Sequence, residues 1–146
     1  MDLKFKTLNS ITGKDQLHSD DKIVDFLHTH LDEYGDPKED IQRSLDYAYD
    51  NGGFILLGLK DKEIKGVVII NETGMSGYIP ENILVYIAVH GDQRGKGVGK
   101  ALMENALKLC KGDVALHVEA DNPAKYLYEK VGFTNPYLEM RWTRDK

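Results

Sequence analysis

The clearest chemistry in this 146-residue sequence sits in one short stretch, Gln93-Arg94-Gly95-Lys96-Gly97-Val98-Gly99-Lys100-Ala101. It follows a strongly apolar run, Ile83 to Val89, and leads into apolar residues at 98, 102, 106 and 109. That spacing predicts a strand, a turn and a helix. The first amides of a helix have no internal partners, and the helix dipole adds partial positive charge there. Glycines at alternate positions let the backbone approach a ligand closely. Arg94, Lys96 and Lys100 contribute formal charge. The combination is an anion cradle of a size suited to a pyrophosphate.

Two nucleotide patterns fail on this stretch. A Walker loop needs a glycine, four residues, then Gly-Lys-Ser/Thr. Here Arg94 stands five before Gly99, and Gly99-Lys100 is followed by Ala101, so no hydroxyl remains for magnesium. The dinucleotide fingerprint needs a third small residue at position 100 and a place on the first strand of its unit. Position 100 is Lys, and this strand comes fourth.

The stretch Arg94-Gly95-Lys96-Gly97-Val98-Gly99 instead resembles the acyl-CoA-binding motif of the GNAT acetyltransferases, Gln/Arg-x-x-Gly-x-Gly/Ala between an apolar strand and a helix. A second segment extends the resemblance. Asn122-Pro123-Ala124-Lys125-Tyr126-Leu127-Tyr128-Glu129-Lys130-Val131-Gly132-Phe133 is similar to the family's Asn-x-x-Ala-x-x-x-Tyr-x-x-x-Gly-Phe, and it follows the strand-like Ala115 to Ala120. Ala124 stands two after Asn122, a departure from the family spacing, while counted from Ala124 the Tyr and Gly-Phe spacings hold. The resemblance covers about 50 residues well and the rest through the order of elements.

What the resemblance implies is an α/β (α+β) fold: a mixed, mostly antiparallel sheet of six to seven strands with helices on both faces. It implies an acetyl-CoA-dependent N-acetyltransferase in which a primary amine attacks the thioester directly in a ternary complex. Pantetheine would run along Ile87, Ala88 and Val89, beside a splayed sheet, and an amide near Ile87 would polarise the carbonyl. Such a donor commonly contributes about 2.7–4 kcal/mol. The diphosphate would rest on Arg94, Gly95, Lys96, Gly97, Val98, Gly99 and Lys100, with Asn122, Ala124 and Leu127 along the channel. Tyr128 matches the family's general acid. A phenol with a pKa near 10 is protonated at neutral pH and can donate to a thiolate; packing against Ala124 and Val131 is the structural alternative. Glu81, just before the fourth strand, is a candidate general base. Glu119, Glu33, Tyr34, His28, a water chain or an amine arriving neutral are others. Dimers are common in the family, so a homodimer is possible.

These groups need elements to position them. Leu3 to Leu8 alternates as a strand. Asp20 or Asp21 can cap a helix with Ile23, Phe26, Leu27 and Leu31 on one face. Asp36, Pro37 and Glu39 predict a capping box for a second helix with Ile41, Leu45, Ala48 and Tyr49 inside. Asn51-Gly52-Gly53 stops it. Apolar runs at Phe54 to Leu59 and Ile64 to Ile70 flank a polar turn, a hairpin signal. Residues 71–82 read as a loop. Strands at Ile83 to Val89 and Val114 to Val118, helices at Val98 to Lys111 and Asn122 to Val131, and one or two strands from Phe133 to Trp142 complete the order βααβββαβαβ(β). The whole chain, 1–146, reads as one domain, with helices on both sheet faces.

Bulk properties bound the partners. The chain is 41% hydrophobic and 29% charged, with no apolar run near the roughly 20 residues that span a bilayer, so no membrane partner and a cytoplasmic location are expected. One cysteine, Cys110, precludes an internal disulfide and sits in a core-like helical pattern. A net charge of −5 argues against a nucleic-acid partner. Residues 15–50 alone carry −8, leaving about +3 elsewhere. That is either two solvated helix faces or a negative rim attracting a cationic acceptor. It disfavours an acetyltransferase acting on charged tRNA. His28 and His30, two apart, face different ways on a helix, and no metal site is expected. A non-catalytic acyl-CoA-binding regulatory domain is the alternative that Tyr128 argues against.

Overall fold

The computed structural model describes residues 3–144. Its elements are β1 (Lys4–Leu8), α1 (Asp20–Leu31), α2 (Lys38–Asp50), β2 (Gly53–Lys60), β3 (Glu63–Glu72), β4 (Asn82–Val89), α3 (Val98–Leu109), β5 (Val114–Ala115) and α4 (Lys125–Lys130). They form one sheet in the order β1-β2-β3-β4-β5. All neighbours are antiparallel except β4 and β5, which run parallel. The sheet thus has five strands among the described residues, against the six to seven implied by the resemblance. β5 keeps only Val114 and Ala115 of the expected Val114–Val118. The alternating segment after Phe133 forms no strand: residues 134–144 are exposed and pair with no other strand among the described residues.

Local chemistry explains the helix ends, with two corrections. Ser19, not Asp20 or Asp21, caps α1 by accepting from the Lys22 amide. Asp36 does not cap α2. Its carboxylate accepts a hydrogen bond from the Tyr86 hydroxyl of β4, on the sheet face that α1 and α2 cover, and Pro37 takes the cap position without a side-chain bond. The expected β2–β3 hairpin is present: Asp61 and Lys62 both have positive φ, as a tight two-residue turn requires.

The sheet separates two apolar layers. On one face Ile23, Leu27, Ile41, Leu45 and Ala48 of α1 and α2 pack on Ile55, Leu57, Val67, Ile69, Tyr86 and Ala88. On the other, Val98, Leu102, Met103 and Ala106 of α3 pack with Tyr128 on Phe54, Leu56, Val68, Ile70 and Leu84. Fully burying one such aliphatic side chain stabilises the fold by about 1.5–3 kcal/mol. Gly66 lets α3 come this close, since a Cβ there would lie 2.2 Å from Leu102 Cδ1.

A bulge in β4 decides which residues face which layer. Ile69 pairs with Tyr86 and Ile70 with Leu84, leaving Val85 as the extra residue. A strand normally alternates faces with period two. The inserted residue resets that alternation. Leu84, Ile87 and Val89 therefore face the α3 layer, while Val85, Tyr86 and Ala88 face α1 and α2.

Candidate active site

β4 is clasped to β5 at one end and free of it at the other. Asn82 pairs with Val114, and Ile83 with Ala115. Buried Asn82 donates its side-chain amide to Lys111 O at 2.7 Å, and its backbone N–H to Asp113 O at 3.0 Å. Beyond Ile83 the pairing ends. From Leu84 to Val89 the outer edge of β4 has no strand beside it among the described residues. His90 N–H donates to Lys65 O on β3 at 2.8 Å. Backbone groups alternate sides along a strand, so the N–H and C=O of Ile87 and Val89 point into the open edge.

At the far end of that edge lies the glycine corner. Gly91–Gln93 form a short 3-10 turn, and Gly95 and Gly97 adopt φ of 79° and 80°. Gly97 is the α3 N-cap in the left-handed region, with no side-chain cap bond and no acidic residue in the first turn. The first backbone bond into the helix is Ala101 N–H to Gly97 O. The amides of Val98, Gly99 and Lys100 consequently have no helical partner. A Cβ at Gly91 or Gly95 would meet nothing within 4 Å, so the corner is open. Lys96 and Lys100 are exposed beside it.

Arg94 takes a different part from its neighbours. Its guanidinium donates to His30 O at 3.0 Å, at the C-terminal end of α1. A cation there also complements the helix dipole. The same junction stacks His30 on His90 at 4.3 Å and on Phe26 at 4.5 Å between ring centroids. Burial, then the nearby His90 and Arg94, holds the His30 pKa below its usual value of 6.5. Lys65, at a bulge of β3, reaches Asp92 Oδ2 at 3.0 Å and Glu63 at 3.3 Å. Corner and scaffold are thus joined by Arg94 on one side and Asp92 on the other.

Tyr128 is buried on α4 in the same layer as Ile87, Val89, Val98 and Ala124. Burial first, and then Glu119, raises its phenol pKa above the usual 10. Phe133 meets its ring edge-on at 6.0 Å between centroids. Asn122 fixes the start of α4, its side-chain oxygen accepting from Ala124 N–H at 2.9 Å and its own N–H donating to Glu119 O at 3.0 Å. Leu127 reaches the first turn of α3: a Cβ on Gly99 would lie 3.1 Å from Leu127 Cδ2 and 3.6 Å from Val89 Cγ2. The glycine corner, the open edge of β4 and α4 therefore converge. Ala88 does not join them: its side chain faces α1 and α2, and by the same alternation its backbone groups point to β3.

Glu81 stands elsewhere. Its carboxylate accepts from Asp113 N–H at 2.9 Å, at the closed end of β4 and β5, and that bond holds its pKa below the usual range. On the acceptor side, the Tyr34 hydroxyl donates to Asp121 O at 3.3 Å, linking the α1–α2 connection to the loop before α4. Desolvation, then Asp121, Glu33 and Glu119, raises the Tyr34 pKa. Glu33 beside Tyr34, and Glu119 and Asp121 from the loop before α4, thus make this contact acidic. His28 is two residues from the stacked His30, and among the described residues no group of His, Cys, Asp and Glu could hold a metal ion. A shallow hollow of about 400 Å³ is lined by Asp21, Val24, Asp25, Lys38, Glu39 and Gln42, all on α1 and α2, and shares nothing with the corner.

The glycine corner and Tyr128 were legible as local motifs. The Asn82 clasp, the Arg94–His30 bond and the Lys65–Asp92 pair were not, and no local signal marks them.

Residues 23–133 match the sequence profile described as Acetyltransferase (GNAT) family. The chain is 39% identical over 60 residues to the mouse Cysteine-rich protein 2-binding protein, a match spanning 40% of this chain but only 8% of that protein. It is 32% identical over 93 residues to the 5-NmdU N-acetyltransferase of Pseudomonas phage PaMx11, covering 62% of this chain and 64% of the phage protein. In both cases the chain spans less than two thirds of the relative. Among solved structures, the aminoglycoside N-acetyltransferase AAC(6')-Iy in complex with CoA superposes with a TM-score of 0.71, at 14% identity over 97% of this chain and 94% of that one.

Proposed function

The chain belongs to the GNAT acetyltransferase family, and on that premise we propose that it transfers the acetyl group of acetyl-CoA to a primary amine of a cationic acceptor. The observation that carries this reading is the unpaired edge of β4, running from the open glycine corner past the outward backbone groups of Ile87 and Val89 to the layer holding Tyr128. An extended pantetheine arm can pair with such an edge as an added strand does. Its diphosphate then rests on the amides of Val98, Gly99 and Lys100, beside Lys96 and Lys100.

In the reaction, the amine nitrogen bonds to the thioester carbon while the Ile87 amide stabilises the developing oxyanion. The C–S bond breaks, and the leaving thiolate takes the Tyr128 proton. The surplus amine proton needs an acceptor. We assign it to Glu119 rather than to Glu81, whose carboxylate is occupied by Asp113 at the closed end of the strands. Glu119 lies near both Tyr128 and Tyr34. The acidic groups about Tyr34 favour a positively charged acceptor, and an exposed rim suits a small polycation or a lysine-bearing peptide.

Calorimetry with acetyl-CoA, followed by a thiol-release assay over an amine panel, tests this reading. Binding together with one equivalent of free CoA per acetylated amine is expected. Tight binding without turnover on any amine would leave only an acyl-CoA-binding domain. Absence of binding would remove the site itself.

A further inference from the structure

Tyr128 rides on a stretch that few polar contacts hold in place. Pairing to the sheet ends at Ala115. From Leu116 to Phe133 the backbone bonds stay within the stretch, among them Asn122 N–H to Glu119 O and Phe133 N–H to Tyr128 O. Among the described residues, its one hydrogen bond to another element comes from the Tyr34 hydroxyl, which donates to Asp121 O at 3.3 Å. α4 itself has six residues, too few for a helix to stand without neighbours. Leu116, Val118, Tyr128 and Val131 pack in the α3 layer. Such contacts bury area without fixing direction. The bond to Asp121 is directional, and it falls next to Asn122, which starts α4.

Tyr34 is itself braced. Two residues on, the Asp36 carboxylate accepts from the Tyr86 hydroxyl at 2.5 Å. Tyr86 is buried on β4, next to Ile87. Between Tyr34 and Asp36 the turn lies tight against the end of α1. Gly35 N–H donates to Asp32 O at 3.2 Å, and a Cβ on Gly35 would stand 2.9 Å from Leu31 Cβ. A chain of contacts therefore runs from Tyr86 through Asp36 and Tyr34 to Asp121. It starts on β4 and ends on the stretch that has parted from β4. At its two ends stand the Ile87 amide and the Tyr128 phenol.

Resting on the acetyl transfer put forward above, we propose that Tyr34, Asp36 and Tyr86 are positioning residues that hold Tyr128 at a set distance from the Ile87 amide across the parted strands. All three act through those two groups and not on the substrate. The amide stabilises the oxyanion while the phenol protonates the departing sulfur, so both must meet one thioester in one transition state. They sit on elements that share no strand pairing where the reaction takes place. A misplacement of about 1 Å by a change far from the chemistry can cost about 10²-fold in rate. The bridge keeps the two groups in register.

Amide hydrogen exchange of the free chain and steady-state kinetics test the proposal together. Tyr86→Phe, a change on β4, should speed exchange at the amides of Tyr128 and Val131, which bond within the stretch, and leave β2 and β3 unchanged. It should lower kcat about tenfold to 10²-fold, with KM for the amine and the CoA dissociation constant unchanged. Tyr34→Phe should do the same, and it stands in if Tyr86→Phe misfolds. Because both act through one bridge, the double variant should lose no more than the worse single one, whereas independent sites would multiply. Asp36→Asn keeps an acceptor for the Tyr86 hydroxyl and should retain most of the activity, and Asp36→Leu should not. Exchange at Tyr128 and Val131 that neither Phe variant moves overturns the proposal. So do losses that multiply, or faster exchange throughout the sheet, which marks plain destabilisation. If no amine turns over in the wild type, the acetyl-transfer reading fails, and the exchange data still decide whether the bridge holds α4.

Discussion

Tyr128 combines burial with a nearby carboxylate, and both keep its proton on. Its pKa lies above the usual 10, so a general acid at this position stays competent at neutral and mildly alkaline pH. Tyr128→Phe is expected to lower kcat by about 10²-fold or more, while calorimetry shows the CoA dissociation constant unchanged. Glu119→Gln should lower kcat most near neutrality and less at high pH, where the amine arrives already neutral; a pH–rate profile checks it. His30 gives a stability signature. Its folded pKa is depressed below 6.5, so the unfolded chain binds the proton more readily. Stability is full above about 6.5 and falls as pH drops from there toward the folded value. Thermal melts over this range should show the fall, and His30→Gln should flatten it. Tyr128 was legible because its partners lie in one short motif. The His30–His90 stack was not, because it joins residues 60 positions apart.

The turn between β4 and α3 owes its shape to contacts outside itself. Glycines at 95 and 97 permit its backbone, and the motif made that much readable. Asp92 is nevertheless tied to Lys65 on β3, and Arg94 to the end of α1. Arg94 read from sequence as one of three phosphate cations; in the fold its guanidinium also braces the turn against His30 O. Lys65→Met should weaken CoA binding about threefold to tenfold by titration calorimetry, with Lys65→Arg restoring most of it, since loosening the turn exposes its amides to more conformations. Gly66→Val tests the packing beneath. A branched side chain aimed at Leu102 is expected to cost about 1–3 kcal/mol in chemical denaturation. The strand boundaries proved hardest to anticipate. Val114–Val118 has the right pattern, but a pattern becomes a strand only where it pairs, and only Val114 and Ala115 lie against β4 before the two strands part.

Charge is distributed over the whole molecule so that the two substrates of the proposed reaction would meet opposite signs. Residues 15–50 carry −8, and Glu33, Glu119 and Asp121 gather about Tyr34. Lys96 and Lys100 stand by the glycine corner. Raising salt should therefore increase KM for a cationic amine and leave that for a neutral amine nearly flat, because exposed charges are screened within a Debye length of about 10 Å at 0.1 M. The clasp at Asn82 and Ile83 has a different consequence. It makes the groove along β4 a blind alley, about six residues or roughly 20 Å deep at 3.3 Å per residue. A tether entering from the corner brings its reactive end to Ile87, about two residues in, and leaves roughly 10 Å of edge before the clasp. Short acyl donors are expected to fit that remaining length, and turnover should drop once the acyl chain exceeds it, while affinity for the donor holds; a series of acyl-CoA chain lengths checks it. The dead end would serve as a ruler, graduated in backbone and read in carbon atoms.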